Sequence, residues 1–284
     1  MSSPLSNELY PNSPPLDSRS LDLRRLVVNA LDGGGRGHLG SSMSLIEVLR
    51  VLYDDVLRHQ PQVPNWEGRD RCILSKGHGC LALYAILSEH GYFARNEMRT
   101  FCHFDSLLGG HPERGKIPGV EASTGALGHG LSIGIGMAIA ARIKGRDTRV
   151  FVVMGDGEIN EGSVWEAAMA AAKHQLSNLT AIVDYNKLQS YGRLSDVLDV
   201  EPLADKWEAF GFATAECDGH DVSALRDLLC EPLSDDKPTM IIAHTVKGKG
   251  VPFAENEPEW HHKSRVQSDQ IEAMYAAFLE AADA

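Results

Sequence analysis

Two oxygen-bearing side chains occupy matching places in this sequence. Asp156 lies between Gly155 and Gly157 just after an apolar run at 151–154, and Asn186 follows a second apolar run at 179–183, thirty positions further on. A carboxylate and an amide oxygen are hard ligands, better suited to magnesium or calcium than to zinc. With so few ligands from the protein, the rest of the coordination falls to water and substrate oxygens, the usual way magnesium holds a phosphate-bearing molecule. Glycines on both sides of Asp156 let a bulky anion approach the backbone closely. Four histidines add proton-handling capacity: His38 in a glycine-rich stretch, His78 in LSKGHG, His111 in GGHPE and His261 in PEWHH. Each is flanked by glycine, proline or polar residues rather than set in an apolar stripe, which puts them in loops.

Such groups need elements that bring them together. The hydrophobic pattern predicts strands at 71–74, 151–154, 179–183, 212–216 and 239–244. It predicts helices at 18–31, 44–57, 80–89, 130–144, 203–210, 222–229 and 268–282, a weaker one at 96–101, and a helical run between the two central strands. Ser44 and Glu47 have capping-box spacing at the start of the second helix. Alternating strands and helices imply an α/β fold, a mostly parallel sheet with helices on both faces. Ligands of such sheets bind at the carboxyl ends of the strands, where Asp156, Asn186 and the loop histidines can meet. Residues 103–128 show little periodicity, and a loop that long is usually functional. The Pro/Ser-rich residues 1–17 read as a flexible extension, leaving 18–284 as one domain.

Composition excludes several classes. A net charge of −12 argues against nucleic-acid or anionic-membrane surfaces as partners. No apolar stretch reaches the length of a membrane span, and no signal pattern opens the chain. Five cysteines without a C-x-x-C argue against a disulfide framework or structural zinc, so a reducing cytoplasm is the expected compartment. Residues 35–40 match G-x-G-x-x-G, but they stand between two predicted helices, where a dinucleotide fingerprint would need a preceding strand. Lys247-Gly248-Lys249-Gly250 lacks Walker spacing and reads as a solvated basic loop. The remaining histidines, His220 and His262 among them, read as ordinary structural or surface residues, with His129 left open.

A series of motifs in order, GHLGSSMSLIEVL, ILSKGHG, GGHPE, PGVEASTGALGHGLSIGIGMA, GDGEINEG, DYNKLQ and HTVKGKG…EWH, closely resembles the diphosphate-binding half of transketolases over about residues 18–270. The resemblance implies a thiamine diphosphate-binding fold, with the cofactor held through Mg²⁺ (Ca²⁺ or Mn²⁺ as substitutes). It implies Asp156, Asn186 and the backbone carbonyl of Leu188 as metal ligands. His78 and His261 would reach the diphosphate, Gly125 and Leu127 would line the cofactor rings, and Gly155, Gly157 and Glu158 would complete the wall. His38, His111 and His261 would be the catalytic histidines. The implied reaction moves a two-carbon ketol (glycolaldehyde) unit from a ketose or its phosphate to an aldose or its phosphate, through a carbanion–enamine. Glu161 matches a carboxylate near the family's subunit interface. His129 stands where many members have glutamine, and Ser190 where a bulky aliphatic commonly packs.

Full-length transketolases continue into a pyrimidine-binding domain that carries the glutamate activating the cofactor, whereas this sequence stops at Ala284. The resemblance therefore implies the N-terminal subunit of a split enzyme, inactive by itself and paired with a C-terminal, pyrimidine-domain subunit in an α₂β₂-type assembly. Three rivals differ in testable ways. The α subunit of a 2-oxoacid dehydrogenase shares Gly-Asp-Gly…Asn, but the four-histidine set with GHPE is unexpected there. A split ketol- or acyloin-transferring enzyme of specialised metabolism would differ mostly on the other chain. A non-catalytic scaffold would bind the cofactor without turnover.

Overall fold

Strands covered on both faces need apolar side chains on both, and the central strands here are built that way. The computed structural model of the chain describes residues 9–282. It contains β1 (Arg71–Leu74), β2 (Val150–Gly155), β3 (Leu179–Tyr185), β4 (Ala213–Asp218) and β5 (Thr239–His244). They pair in the order β1-β2-β3-β5-β4, all parallel. β2, β3 and β5 are buried throughout, while β4, at the edge, is buried only at its carboxyl end.

The helices in chain order are α1 (Ser18–Gly34), α2 (Leu39–Met43), α3 (Ile46–Val51), α4 (Cys80–Glu89), α5 (Gly130–Ile143), α6 (Gly162–Lys173), α7 (Leu194–Val197), α8 (Leu203–Ala209), α9 (Val222–Leu229) and α10 (Ser268–Ala282). The strands' alternating side chains divide the core in two. Phe151, Val153, Ile182 and Ile241 join apolar residues of α1–α4, α9 and α10 on one face. Val150, Val152, Val183 and Ile242 join those of α5, α6 and α8 on the other. The expected α/β architecture is the observed one.

Local differences have physical causes. α1 runs three residues past its expected end and stops where Gly35 turns left-handed (φ 64°), its N–H donating to the Leu31 carbonyl. The predicted 44–57 helix divides into α2, α3 and a π turn at Leu52–Val56. Ser44 and Glu47 form no capping box, because both side chains are drawn into buried networks: Ser44 Oγ donates to Asp184 (2.7 Å) and Glu47 pairs with Arg24 (2.6 Å). The weaker helix is a 3₁₀ turn at Arg95–Thr100, and the fourth strand lies one to two residues later than predicted. Of the expected N-terminal extension, residues 1–8 lie outside the described residues. Beyond them, the Tyr10 ring sits 5.5 Å from that of His244, Ser13 Oγ donates to Asp218, and Asp17 caps α1 through Ser20 N–H. No helix of the described residues is long and apolar enough to cross a membrane.

Candidate active site

Four strand ends supply the floor of a cleft. β1 runs into Ser75-Lys76, β2 into Asp156-Gly157, β3 into Asn186 and β5 into Thr245-Val246-Lys247. The register puts Gly155 beside Asp184, and Tyr185 beside His244, so the residues that follow emerge next to one another. The cleft holds about 200 Å³ and is bordered by His38, His78, Gly125, Leu127, Gly155, Asp156, Gly157, Glu158, Asn186, Leu188 and His261, all expected from the sequence. His111 is not on that border. It stands exposed next to it, its ring centroid 6.3 Å from that of His38.

The loops that carry these groups are irregular but anchored. Tyr84 Oη donates to Gly109 O (2.9 Å), and Leu108 and Ile117 are buried, which fixes the long 103–128 segment over α4. Gly125 has φ 145°, and a Cβ there would meet the His111 ring at 3.0 Å, so only glycine lets the imidazole approach. Glu158 ties the loops together: its oxygens accept from Gly155 N–H (3.0 Å), Gly128 N–H (3.0 Å) and Ser75 Oγ.

Electrostatically the floor is unsettled. Burial, and Asp184 nearby, push the Asp156 carboxyl up to about 6 although Lys247 and Lys76 oppose this. Burial likewise pulls the Lys247 ammonium down to about 8, with Asp156 partly opposing. His38 and His261 fall to about 3, first through burial and then through neighbouring imidazoles and lysines, so both rings are neutral at ordinary pH. His261 Nδ1 and Gln189 Nε2 are buried at the cleft border and have no hydrogen-bond partner.

Hard oxygen donors converge here. Asp156 accepts from the Gly157 and Lys187 N–H groups, and Asn186 Nδ2 lies 3.4 Å from Asp184, which turns its Oδ1 away from that carboxylate. The Leu188 carbonyl already accepts from a cation, the Lys247 ammonium, at 2.7 Å. Among the described residues no group of three or more His, Cys, Asp or Glu could hold a metal. One carboxylate, one amide oxygen and one carbonyl suit a magnesium-type ion only if a ligand brings further oxygens. The residues present fit such an ion with a diphosphate.

Sequence reasoning missed several polar groups. Lys247, read as solvated, is 1% exposed, because the turn after β5 points it into the cleft. Lys76 is equally buried and pairs with Asp184, whose carboxylate also accepts from Ser44 and Thr245. Against the upward push of burial, these partners hold Asp184 below the usual carboxylate range. The available signal was position: both lysines and Asp184 stand at or just past the ends of apolar strands. His262, also read as ordinary, has its ring centroid 4.5 Å from that of His38.

A second buried network stands behind the floor. Arg24 makes a two-pronged pair with Glu47 (2.6 and 3.0 Å) and donates to the carbonyls of Lys249 and Met43. Glu47 meets His220 Nδ1 at 2.8 Å, and His220 Nε2 accepts from Val246 N–H at 2.8 Å. That acceptance fixes the tautomer, with the proton on Nδ1. The chain of contacts ends one residue before Lys247.

The sequence model of a family described as "Transketolase, thiamine diphosphate binding domain" matches residues 17–279. One of the two subunits named for an apulose-4-phosphate transketolase of Actinobacillus succinogenes is 45% identical over 259 residues, covering 90% of this chain and 93% of its own length. The 6-deoxy-6-sulfo-D-fructose transketolase subunit SqwG of a Clostridium species is 38% identical, covering 84% and 88%. Human transketolase is 36% identical over 85% of the chain, but that stretch is only 38% of the human protein. In structure, a transketolase of Pichia stipitis matches with a TM-score of 0.86 at 28% identity, over 92% of this chain and 40% of the other. The chain thus spans about two fifths of that solved transketolase.

Proposed function

Because the chain belongs to the transketolase family of thiamine diphosphate-dependent transferases, we propose that it is the diphosphate-binding subunit of a split transketolase. With a pyrimidine-domain partner it transfers a two-carbon ketol unit from a ketose to an aldose. The observation that carries this reading is the meeting of Asp156, Asn186 and Leu188 with neutral imidazoles in one cleft. Relatives named as subunits match this chain nearly end to end, which supports a partner chain.

In this reading Asp156, Asn186 Oδ1 and the Leu188 carbonyl hold a Mg²⁺ against the diphosphate. Lys247, His78 and His261 face the same anion, and the unpartnered His261 Nδ1 gains an acceptor. Gly125, Leu127, Gly155 and Gly157 leave room for the rings, while Glu158 keeps their loops in register. Thiamine diphosphate, when bound, supplies a carbon nucleophile for the ketose carbonyl and an electron sink for the two-carbon fragment. His38 and His111 act on the sugar side. As neutral imidazoles each can donate an N–H to a carbonyl or alkoxide oxygen and accept a proton at its other nitrogen. The activating glutamate comes from the partner, which places the work in an α₂β₂-type assembly in the cytoplasm. The names of the relatives favour a specialised ketose carrying an anionic group, a phosphate or a sulfonate.

The test assays each of the two chains by itself and then both together, with hydroxypyruvate as donor, Mg²⁺ and thiamine diphosphate present, and native mass measured in parallel. Transfer is expected only from the pair. Robust transfer by this chain without its partner sinks the split-enzyme reading, and cofactor binding by the pair without any turnover favours the scaffold.

A further inference from the structure

The histidines form an ordered series from floor to surface. His78 and His261 border the cleft, and each has its ring centroid 5.4 Å from that of His38. His262 lies against His38 at 4.5 Å, closer than any of the others, yet it is exposed and does not border the cleft. His262 therefore stands outward of His38, at the mouth.

The placement is built into the backbone. Gly37 and Lys263 exchange two hydrogen bonds of 2.9 Å, and Val266 N–H donates to Gly35 O at the same distance. This small antiparallel bridge carries His38 and His262 on neighbouring segments. Packing reinforces it, since a Cβ at Gly40 would come within 3.1 Å of the Trp260 carbonyl. The neighbouring Lys263 ammonium is turned aside over the Trp260 ring, 4.5 Å from its centroid, which leaves the imidazole as the polar group of that segment beside His38.

We infer that His262 is a specificity-determining residue, contacting the polyhydroxylated part of the sugar beyond the transferred two-carbon unit. This rests on the split-transketolase reading. If the reacting carbon lies near His38, a two-carbon aldehyde ends there, whereas a sugar of four or more carbons must extend outward past that ring. An imidazole at the mouth offers one N–H donor and one nitrogen acceptor, a match for a hydroxyl or for an anionic tail oxygen. A group that meets only the distal part of a substrate shows itself in discrimination between substrates.

The experiment uses the assembled pair with hydroxypyruvate as donor and a ladder of acceptors: glycolaldehyde, D-glyceraldehyde, D-erythrose and D-ribose, the last two also as phosphates. In His262→Ala, the KM for acceptors of four or more carbons should rise at least tenfold more than the KM for glycolaldehyde, with kcat ratios preserved. His262→Gln, which keeps a donor and an acceptor, should recover part of the difference. A larger effect on the phosphates than on the free sugars identifies the tail oxygen as the partner, and an equal effect identifies the hydroxyls. The inference is overturned if the KM ratio stays at the wild-type value, if kcat falls alike for every acceptor, or if the wild-type pair accepts nothing longer than three carbons. Absence of transfer by the wild-type pair overturns the parent reading and this one with it; transfer with an indifferent His262 overturns this one alone.

Discussion

Two buried ionic networks lie back to back in this protein, and they differ in how completely their partners are supplied. In the Arg24–Glu47–His220 network the charges are matched at 2.6–3.0 Å and the imidazole is engaged at both nitrogens. Burial alone would push Glu47 up, but Arg24 and His220 more than offset it and the carboxyl ends below its ordinary value. On the cleft floor the same burial wins: Asp156 goes up, Lys247 comes down, and His261 Nδ1 is left without a partner. A buried charge that its own fold does not compensate marks a place where something else supplies the partner. The closed network builds the molecule, and the open one belongs to the ligand.

The comparison can be broken first at the closed side. Arg24→Ala leaves Glu47 charged, buried and unpaired, which should destabilise the chain by roughly 3–5 kcal/mol, read from urea midpoints. A loss no larger than that of a surface pair would show that the network is decorative. On the open side, His38→Ala and His111→Ala in the assembled enzyme should each lower kcat by about 10²–10⁴-fold with little change in cofactor affinity. Steady-state rates equal to wild type would return both residues to ordinary loop positions.

A subtler distinction lies in pH. Because Glu47 is held below its ordinary value of 4.5 in the fold, its contribution is fully present above that pH and is lost as pH falls further. Stability of the cofactor-free chain should therefore drop from about pH 4.5 downward, and Glu47→Gln should flatten that slope even as it lowers stability at pH 7. An unchanged slope would mean that other carboxylates control acid unfolding. The smallest effect belongs to an exposed pair: Lys116→Ala, which separates Lys116 from Glu113 at 3.3 Å, should change stability by about 0–1 kcal/mol in the same urea assay.

Legibility in the sequence followed the same division. Apolar strand runs and the α9 and α10 helices were readable to the residue or nearly so, because covered parallel strands and amphipathic helices leave periodic signatures. The cleft border was readable through strand-end Asp156 and Asn186 and through histidines next to glycine. What local patterns hid were side chains whose partners are distant in sequence. Ser44 and Glu47 looked like a helix cap, yet their partners are Asp184 and Arg24. Lys247 looked solvated among glycines, yet it reaches Leu188, fifty-nine positions away. His262 looked redundant beside His261 until the Gly37–Lys263 bridge set it against His38.

The most direct test of the open floor is titration calorimetry of thiamine diphosphate in excess Mg²⁺, on the chain assembled with its partner, for wild type and Asp156→Asn. Removing the carboxylate takes away the only charged ligand proposed for the cation, so affinity should fall at least about a hundredfold. At the same time the cofactor-free variant should unfold at a urea concentration no lower than wild type, because its charge was held there against burial. Undiminished affinity, or a cofactor-free variant as unstable as Arg24→Ala, would contradict the account.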